Sequence, residues 1–349
     1  MLNTISYAAL NPQSKLAPYS FNRRDVGKND ILIDIHFCGV CHSDIHQARD
    51  EWGGAIFPMV PGHEIVGKVA KIGKTVKGYK VGDPVGVGCF VGSCGKCPRC
   101  KTHQQNYCDI KFVPTYNGTE MDMKTPTYGG YSNQIVVDQK FVLKIPKNLD
   151  LARSAPLLCA GITTWSPLKH WKVGKGHKLG VMGLGGLGHM AVKFGKALGA
   201  QVTVISTSSS KAADAKRLGA KNFILSTDPS QLEKHAGAFD FILSTVAAKH
   251  DINLPLNLLK TDGTLILVGV PDKPLDMHPA SLIMKRKKIG GSLVGGIKET
   301  QEMLNFCGKK NIMSDIELIP IQKINEAFDR TVKGDVKYRF VIDNATLSV

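Results

Sequence analysis

Residues 178–206 read KLGVMGLGGLGHMAVKFGKALGAQVTVIS, and the fold turns on how this stretch is parsed. An apolar strand over 178–182 runs into Gly183-Leu184-Gly185-Gly186-Leu187-Gly188, which opens a helix over about 188–198. A second strand follows over 201–205. A glycine string of this spacing is informative only in such a setting. There the glycines make a tight turn, let backbone approach a pyrophosphate and let the helix pack on the strand, while the helix start offers its amides to phosphate. The stretch therefore predicts a dinucleotide-binding βαβ unit.

Outward from it, the same rhythm begins near Ser154 and continues with a helix-length segment over 211–218 and strands over 239–243, 264–268 and 288–291. A parallel sheet covered by helices accommodates that pattern. Upstream, short β-branched runs over 31–35 and 65–72, bounded by Gly, Asn, Asp and Pro, mark a β-rich first part. Between Gly88 and Tyr131 periodicity is lost, which predicts a metal-pinned loop followed by irregular surface structure. Past Gly296 a helix over about 298–307 and a closing strand over 338–342 are expected.

At the end of the second strand an NAD site carries an acidic residue for the adenosine ribose, roughly 20 residues beyond the glycines. Here the slot holds Ser206, followed by Thr207, Ser208, Ser209, Ser210 and Lys211. No carboxylate repels a 2′-phosphate, and hydroxyls with an ammonium can hold one, so NADP(H) is the favoured cofactor. The alternatives are a serine-rich polar turn and a lysine serving an unphosphorylated ribose.

Cys94, Cys97, Cys100 and Cys108 form a second motif. Two-residue gaps let successive thiolates aim at one point, and four of them close a tetrahedron around Zn²⁺ with no position left for substrate. The reading is a structural zinc lobe over 88–112. Two disulfides are the alternative, but no leader-like segment stands at the start and no transmembrane run is present, so a reducing cytoplasm is expected.

Length allows two domains, and composition is that of a globular protein. Lys and Arg total 45 against 29 Asp and Glu, a net charge of +16. Only Lys285-Arg286-Lys287-Lys288 forms a tight basic run, with no aromatic interleaving or helix-turn-helix signature, so a solvated lysine-rich surface is favoured over nucleic-acid binding.

Of the remaining cysteines, Cys41 sits in GVCHSDIH (39–46) and Cys159 in LLCAGIT (157–163), with Pro61-Gly62-His63-Glu64 between them. These segments in this order, with the four-cysteine lobe between the second and third, resemble the zinc-dependent medium-chain alcohol dehydrogenases. The likeness is greatest to the cinnamyl alcohol dehydrogenase branch and its bacterial aldehyde-reductase relatives.

The resemblance implies an α/β fold in which a GroES-like β-rich catalytic domain (1–158 and 297–349) is interrupted by a Rossmann doubly wound parallel-sheet cofactor domain (159–296). It implies Cys41, His63 and Cys159 as ligands of a catalytic zinc, with one position open. Glu64 lies in the inner shell and exchanges with water, and Asp44 orients His63 through its second nitrogen. Ser43 and His46 stand where the family has a proton relay. Two zinc ions per chain are expected.

It further places Thr163, Gly183, Gly185, Gly186, Leu187, Gly188, Ser206, Thr207, Ser208, Lys211, Thr245, Val246, Gly269, Val270 and Ser292 on the cofactor, with Arg339 and His189 within reach of it. Trp52, Phe90, Leu293 and Ile297 would wall a pocket for aromatic or medium-chain aldehydes. The implied activity is hydride transfer between NADP(H) and a primary alcohol or aldehyde in the cytoplasm. It would be carried out by a homodimer paired through edge strands near 264–270 and 288–294, with no nucleic-acid or membrane partner. Two other readings are an NAD-linked polyol or secondary-alcohol dehydrogenase of the same fold and a basic zinc-ribbon module on a non-enzymatic scaffold.

Overall fold

In DILIDIHFCG the isoleucines at 31, 33 and 35 fall on one face of an extended chain and are buried, while Asp34 between them is exposed. The computed structural model, which describes residues 1–271 and 273–347, makes this strand, Asp30–Gly39, the centre of a seven-stranded sheet. Ile65–Ile72 pairs antiparallel along one edge, with register irregularities between Leu32 and Ile33 and between Ile35 and Phe37. Such a slip changes which residues face inward. Past it, Cys38 and not Phe37 is fully buried, and the chain enters Gly39-Val40-Cys41.

The other edge is shared. Gln134–Asp138 covers the start of Asp30–Gly39, and Arg339–Asp343, from the end of the chain, covers its finish through Val341↔Gly39, Ile342↔Cys38 and Asp343↔Phe37. Ile316–Pro320 extends the sheet by parallel pairing with Arg339–Asp343.

The segment expected to be irregular carries short antiparallel pairs instead, Phe90–Ser93 with Phe112–Pro114 and Gly118–Thr119 with Pro126–Thr127. Strands of two to four residues are too short for an alternating pattern to register.

The chain divides into two units, Met1–Ile162 with Val294–Val349, and Thr163–Leu293. In the second unit six strands pair in parallel. Their order is Asn222–Leu225, Gln201–Ser206, Lys178–Met182, Phe239–Ser244, Leu259–Leu267 and Lys288–Gly291. From Lys178–Met182 the next two strands are added on one side and the following three on the other, which creates a topological switch point beside it. Met182, Ile205, Ile242 and Leu265 join the core of this unit.

In this unit two element starts differ from expectation by more than one residue. The helix Gly186–Ala197 starts inside the glycine string, because Gly185 in extended conformation is its N-cap. Leu259–Leu267 starts before 264, because its exposed residues Lys260, Thr261 and Asp262 carry no apolar signal.

Candidate metal centre and nucleotide turn

Cys41 leaves the central strand and caps the helix His42–Ala48. Its amide donates to Asp44 Oδ2 at 2.8 Å, so the first turn folds a carboxylate back under the cysteine. Asp44 is wholly buried. Oδ1 accepts from Gly62 N (3.2 Å) and faces His63 Nδ1 (3.1 Å), and Oδ2 also accepts from Tyr131 Oη (3.2 Å). A buried carboxylate persists on such donors. With Nδ1 engaged by Asp44, Nε2 is the nitrogen left to a ligand.

Cys159 follows the turn Ala155–Leu158 and brings its Sγ to 3.9 Å from Cys41 Sγ. Ligand atoms of Cys41, His63, Glu64 and Cys159 all lie within 4.8 Å of one another, and all four residues are buried. Glu64 folds against Gly39, where any Cβ would stand 1.9 Å from Oε2. Only glycine fits that approach.

Arg339 Nη2 stands 2.9 Å from Glu64 Oε1 as a charge pair, without the alignment of a hydrogen bond, and both Glu64 oxygens are buried without a hydrogen-bond partner. Burial pushes the Glu64 carboxyl up to about 7, against the pull of Arg339. Burial also works against the Arg339 charge, but Glu64 and then the two thiols outweigh it and raise its pKa. Arg339 was expected to reach the cofactor. It is 4% exposed and faces Glu64, because its strand pairs beside the one leading to Cys41.

The two thiols share charge unequally. The hydrogen bond from Cys159, opposed by burial and aided by Arg339, lowers Cys41 well below the usual thiol range, and the same bond raises Cys159. Burial disfavours the His63 imidazolium, but Asp44 outweighs it and raises the pKa. These donors fit zinc. Zn–S bonds of about 2.3 Å in a tetrahedron imply sulfur separations near 3.8 Å, close to the spacing of Cys41 and Cys159.

Ser43 and His46 share the helix of Cys41. Ser43 Oγ lies 3.6 Å from Cys41 Sγ. His46 Nδ1 pairs with the carboxylate of Glu51, Nε2 is buried without a partner, and the ring stacks on Trp52 at 4.8 Å. Glu51, an exposed carboxylate on His46, was not anticipated. It lies beyond the helix end, where periodicity assigns no side.

Of the four residues expected to wall a substrate pocket, two line one small cavity and one belongs to the other unit. Trp52 is 43% exposed over His46, while Phe90 is buried against Phe112 and Phe141. Ile297 starts the helix Ile297–Lys310 and lines a small cavity with Phe90 and Cys89, and Leu293 belongs to the second unit.

In the lobe, Cys94, Cys97, Cys100 and Cys108 also form a group within 4.8 Å. Their Sγ atoms stand 3.8 Å (Cys94 to Cys100) and 3.9 Å (Cys97 to Cys108) apart, far from the about 2.05 Å of a disulfide and matching a zinc tetrahedron. Backbone amides point at the sulfurs: Cys97 N to Cys94 Sγ (3.3 Å), Cys100 N to Cys97 Sγ and Cys94 N to Cys108 Sγ (both 3.4 Å). That environment suits thiolates.

In the second unit the expected cofactor residues collect at the carboxyl ends of the parallel strands. Gly183–Gly188 follow Lys178–Met182, Ser206 ends its strand, Thr245 and Val246 follow Phe239–Ser244, Gly269 and Val270 follow Leu259–Leu267, and Ser292 follows Lys288–Gly291. Thr163 is buried in the helix Ala160–His170. A Cβ on Gly188 would stand 2.1 Å from Gly183 O, whereas one on Gly185 would meet nothing within 4 Å. The turn is packed on one side and open on the other, with no side chain capping the helix, as a phosphate cradle requires.

Ser206 Oγ accepts from Ser208 N at 3.3 Å, and Lys211 Nζ donates to Leu184 O at 3.1 Å, joining the serine loop to the glycine turn. Thr207 is exposed beside them. His189, expected within reach of phosphate, is wholly buried, with Nδ1 3.3 Å from Gly185 O.

Residues 27–147 match the alcohol dehydrogenase GroES-like domain and residues 186–309 the zinc-binding dehydrogenase domain. A "probable mannitol dehydrogenase" of Mesembryanthemum crystallinum is 52% identical, over 97% of this chain and 94% of that protein. The aldehyde reductase YahK of Escherichia coli (strain K12) is 51% identical, over 98% of each. The crystal structure of the cinnamyl alcohol dehydrogenase of Helicobacter pylori complexed with NADP(H) superposes with a TM-score of 0.94 at 44% identity, over 99% of both chains. Among the described residues no helix is long and apolar enough to cross a membrane.

Proposed function

The chain belongs to the zinc-binding alcohol dehydrogenases, and from that premise we propose that it transfers hydride between NADP(H) and a primary alcohol or aldehyde, working as a reductase of aromatic or medium-chain aldehydes. The observation that carries this reading is the buried group of Cys41, His63, Glu64 and Cys159, with Ser43 and His46 on the helix that Cys41 caps. A closed thiolate knot needs no relay; an open catalytic site does.

Bound in this group, zinc supplies a Lewis acid, and bound on the glycine turn NADPH supplies the hydride. Cys41, His63 and Cys159 hold the metal and Asp44 fixes the imidazole. Glu64, whose carboxyl burial raises against the pull of Arg339, is the reserve oxygen donor. Reduction of an aldehyde consumes a proton, which Ser43 and His46 would convey inward from solvent, with Glu51 holding the His46 ring at the surface end. Ser206, Ser208 and Lys211 receive the 2′-phosphate of the cofactor.

The first unit acts as the catalytic domain and the second as the cofactor domain. We infer a homodimer, since Lys288–Gly291 is an open sheet edge. A reducing, cytoplasmic setting suits the nine cysteines, all unpaired. The test is initial-rate oxidation of NADPH and NADH with cinnamaldehyde, before and after zinc chelation. Fast oxidation favouring NADPH and lost on chelation is expected. Turnover that survives removal of both metals would overturn the reading.

A further inference from the structure

The segment Thr115-Tyr116-Asn117, in a stretch without periodicity, reaches several parts of the metal centre. Thr115 is buried; its amide donates to Cys89 O at 3.2 Å and its hydroxyl donates to Gly88 O. Asn117 Nδ2 donates to Gln47 Oε1 (2.7 Å) on the helix of Cys41, and its Oδ1 accepts from Ile56 N (2.8 Å). Between these anchors Tyr116, only 2% exposed, lays its ring along the imidazole of His63, with centroids 5.8 Å apart and planes 21° apart. Its hydroxyl is buried toward the Asp44 carboxylate, without the alignment of a hydrogen bond.

An imidazole bonded through Nδ1 to a single carboxylate oxygen can still rotate about that hydrogen bond, and the rotation swings Nε2 out of line with Cys41 and Cys159. Asp44 fixes one point of the ring; a flat neighbour fixes its plane. We propose that Tyr116 is a positioning residue for His63, acting through the face of its ring and not through its hydroxyl. The inference rests on the reading of Cys41, His63 and Cys159 as metal ligands.

The test uses the zinc-loaded enzyme. Zinc is first counted in the wild type and in Cys159→Ser; two ions falling to one establish the ligand reading independently of Tyr116. Release of each ion into excess chelator is then timed for wild type, Tyr116→Phe and Tyr116→Leu, with Tyr116→Met in place of the leucine variant if that does not fold.

Outer-shell partners of metal-bound histidine typically affect metal affinity by about 10–100-fold. The non-aromatic variant should therefore release one ion at least about tenfold faster. The other ion should be unchanged, Tyr116→Phe should stay near wild type, and the d–d spectrum of the cobalt-substituted non-aromatic variant should shift. Wild-type release from the non-aromatic variant overturns the proposal, as does equal acceleration of both ions or a phenylalanine variant as impaired as the leucine one. One zinc in wild type, or two retained in Cys159→Ser, would instead remove the ligand reading beneath it.

Discussion

Ser206 ends its strand with 7% exposure, and the adjoining Lys211 has its pKa lowered by burial while it bonds Leu184 O. A carboxylate at 206 would accept from ribose hydroxyls and repel a 2′-phosphate. Ser206→Asp should lower the ratio of kcat/KM for NADPH over NADH by at least about tenfold, equivalent to roughly 1.4 kcal/mol. Steady-state kinetics with both cofactors measure it, and an unmoved ratio would free this loop of the role given to it. At this scale the motifs were legible. Cys41, His63, Glu64 and Cys159 could be named from the sequence, and their ligand atoms lie together. Glu51 on His46 and Tyr116 on His63 could not, because one sits past a helix end and the other comes from a segment remote in sequence with no repeating pattern. The pairing of Arg339 with Glu64 was not legible either, since strand pairing decides what it faces.

Elements long enough to show their period were read closely. The apolar runs at Ile65–Ile72, Lys178–Met182 and Lys288–Gly291 coincide with strands, whereas the polar start of Leu259–Leu267 and the short strands of the lobe gave no signal. The glycine turn allows a sharper test. A methyl at Gly188 would sit 2.1 Å from Gly183 O, a backbone atom that cannot swing aside. Gly188→Ala should push the helix Gly186–Ala197 off its strand, destabilising the protein by about 1–3 kcal/mol, as overpacking does. It should also weaken NADPH binding while leaving both zinc ions in place. Denaturant midpoints, fluorescence titration and metal analysis report the three effects separately, and a variant that binds NADPH normally would contradict this account of the turn.

Across the whole molecule the charge of +16 is the most conspicuous bulk property. Its tightest run is partly spoken for locally: Arg286 pairs with Asp262, and Lys287 Nζ donates to Leu256 O. That ties part of the run to the fold of the second unit and leaves less of it for a polyanion. The adjoining edge strand Lys288–Gly291 is the surface expected to pair with a second copy, since an edge with unpaired amides and carbonyls is a template for another strand. Sedimentation equilibrium should give twice the chain mass of 37.8 kDa at micromolar concentration. A single-chain mass would exclude the dimer.

The pairing of Arg339–Asp343 with Asp30–Gly39 also fixes an order of events in synthesis. All six strands of the parallel sheet have left the ribosome before Arg339 is added, so the nucleotide unit has its complete sequence first. The guanidinium facing Glu64 is made only after the whole of that sheet. A chain that stops early carries a whole sheet for the coenzyme and an unfinished centre for the reaction.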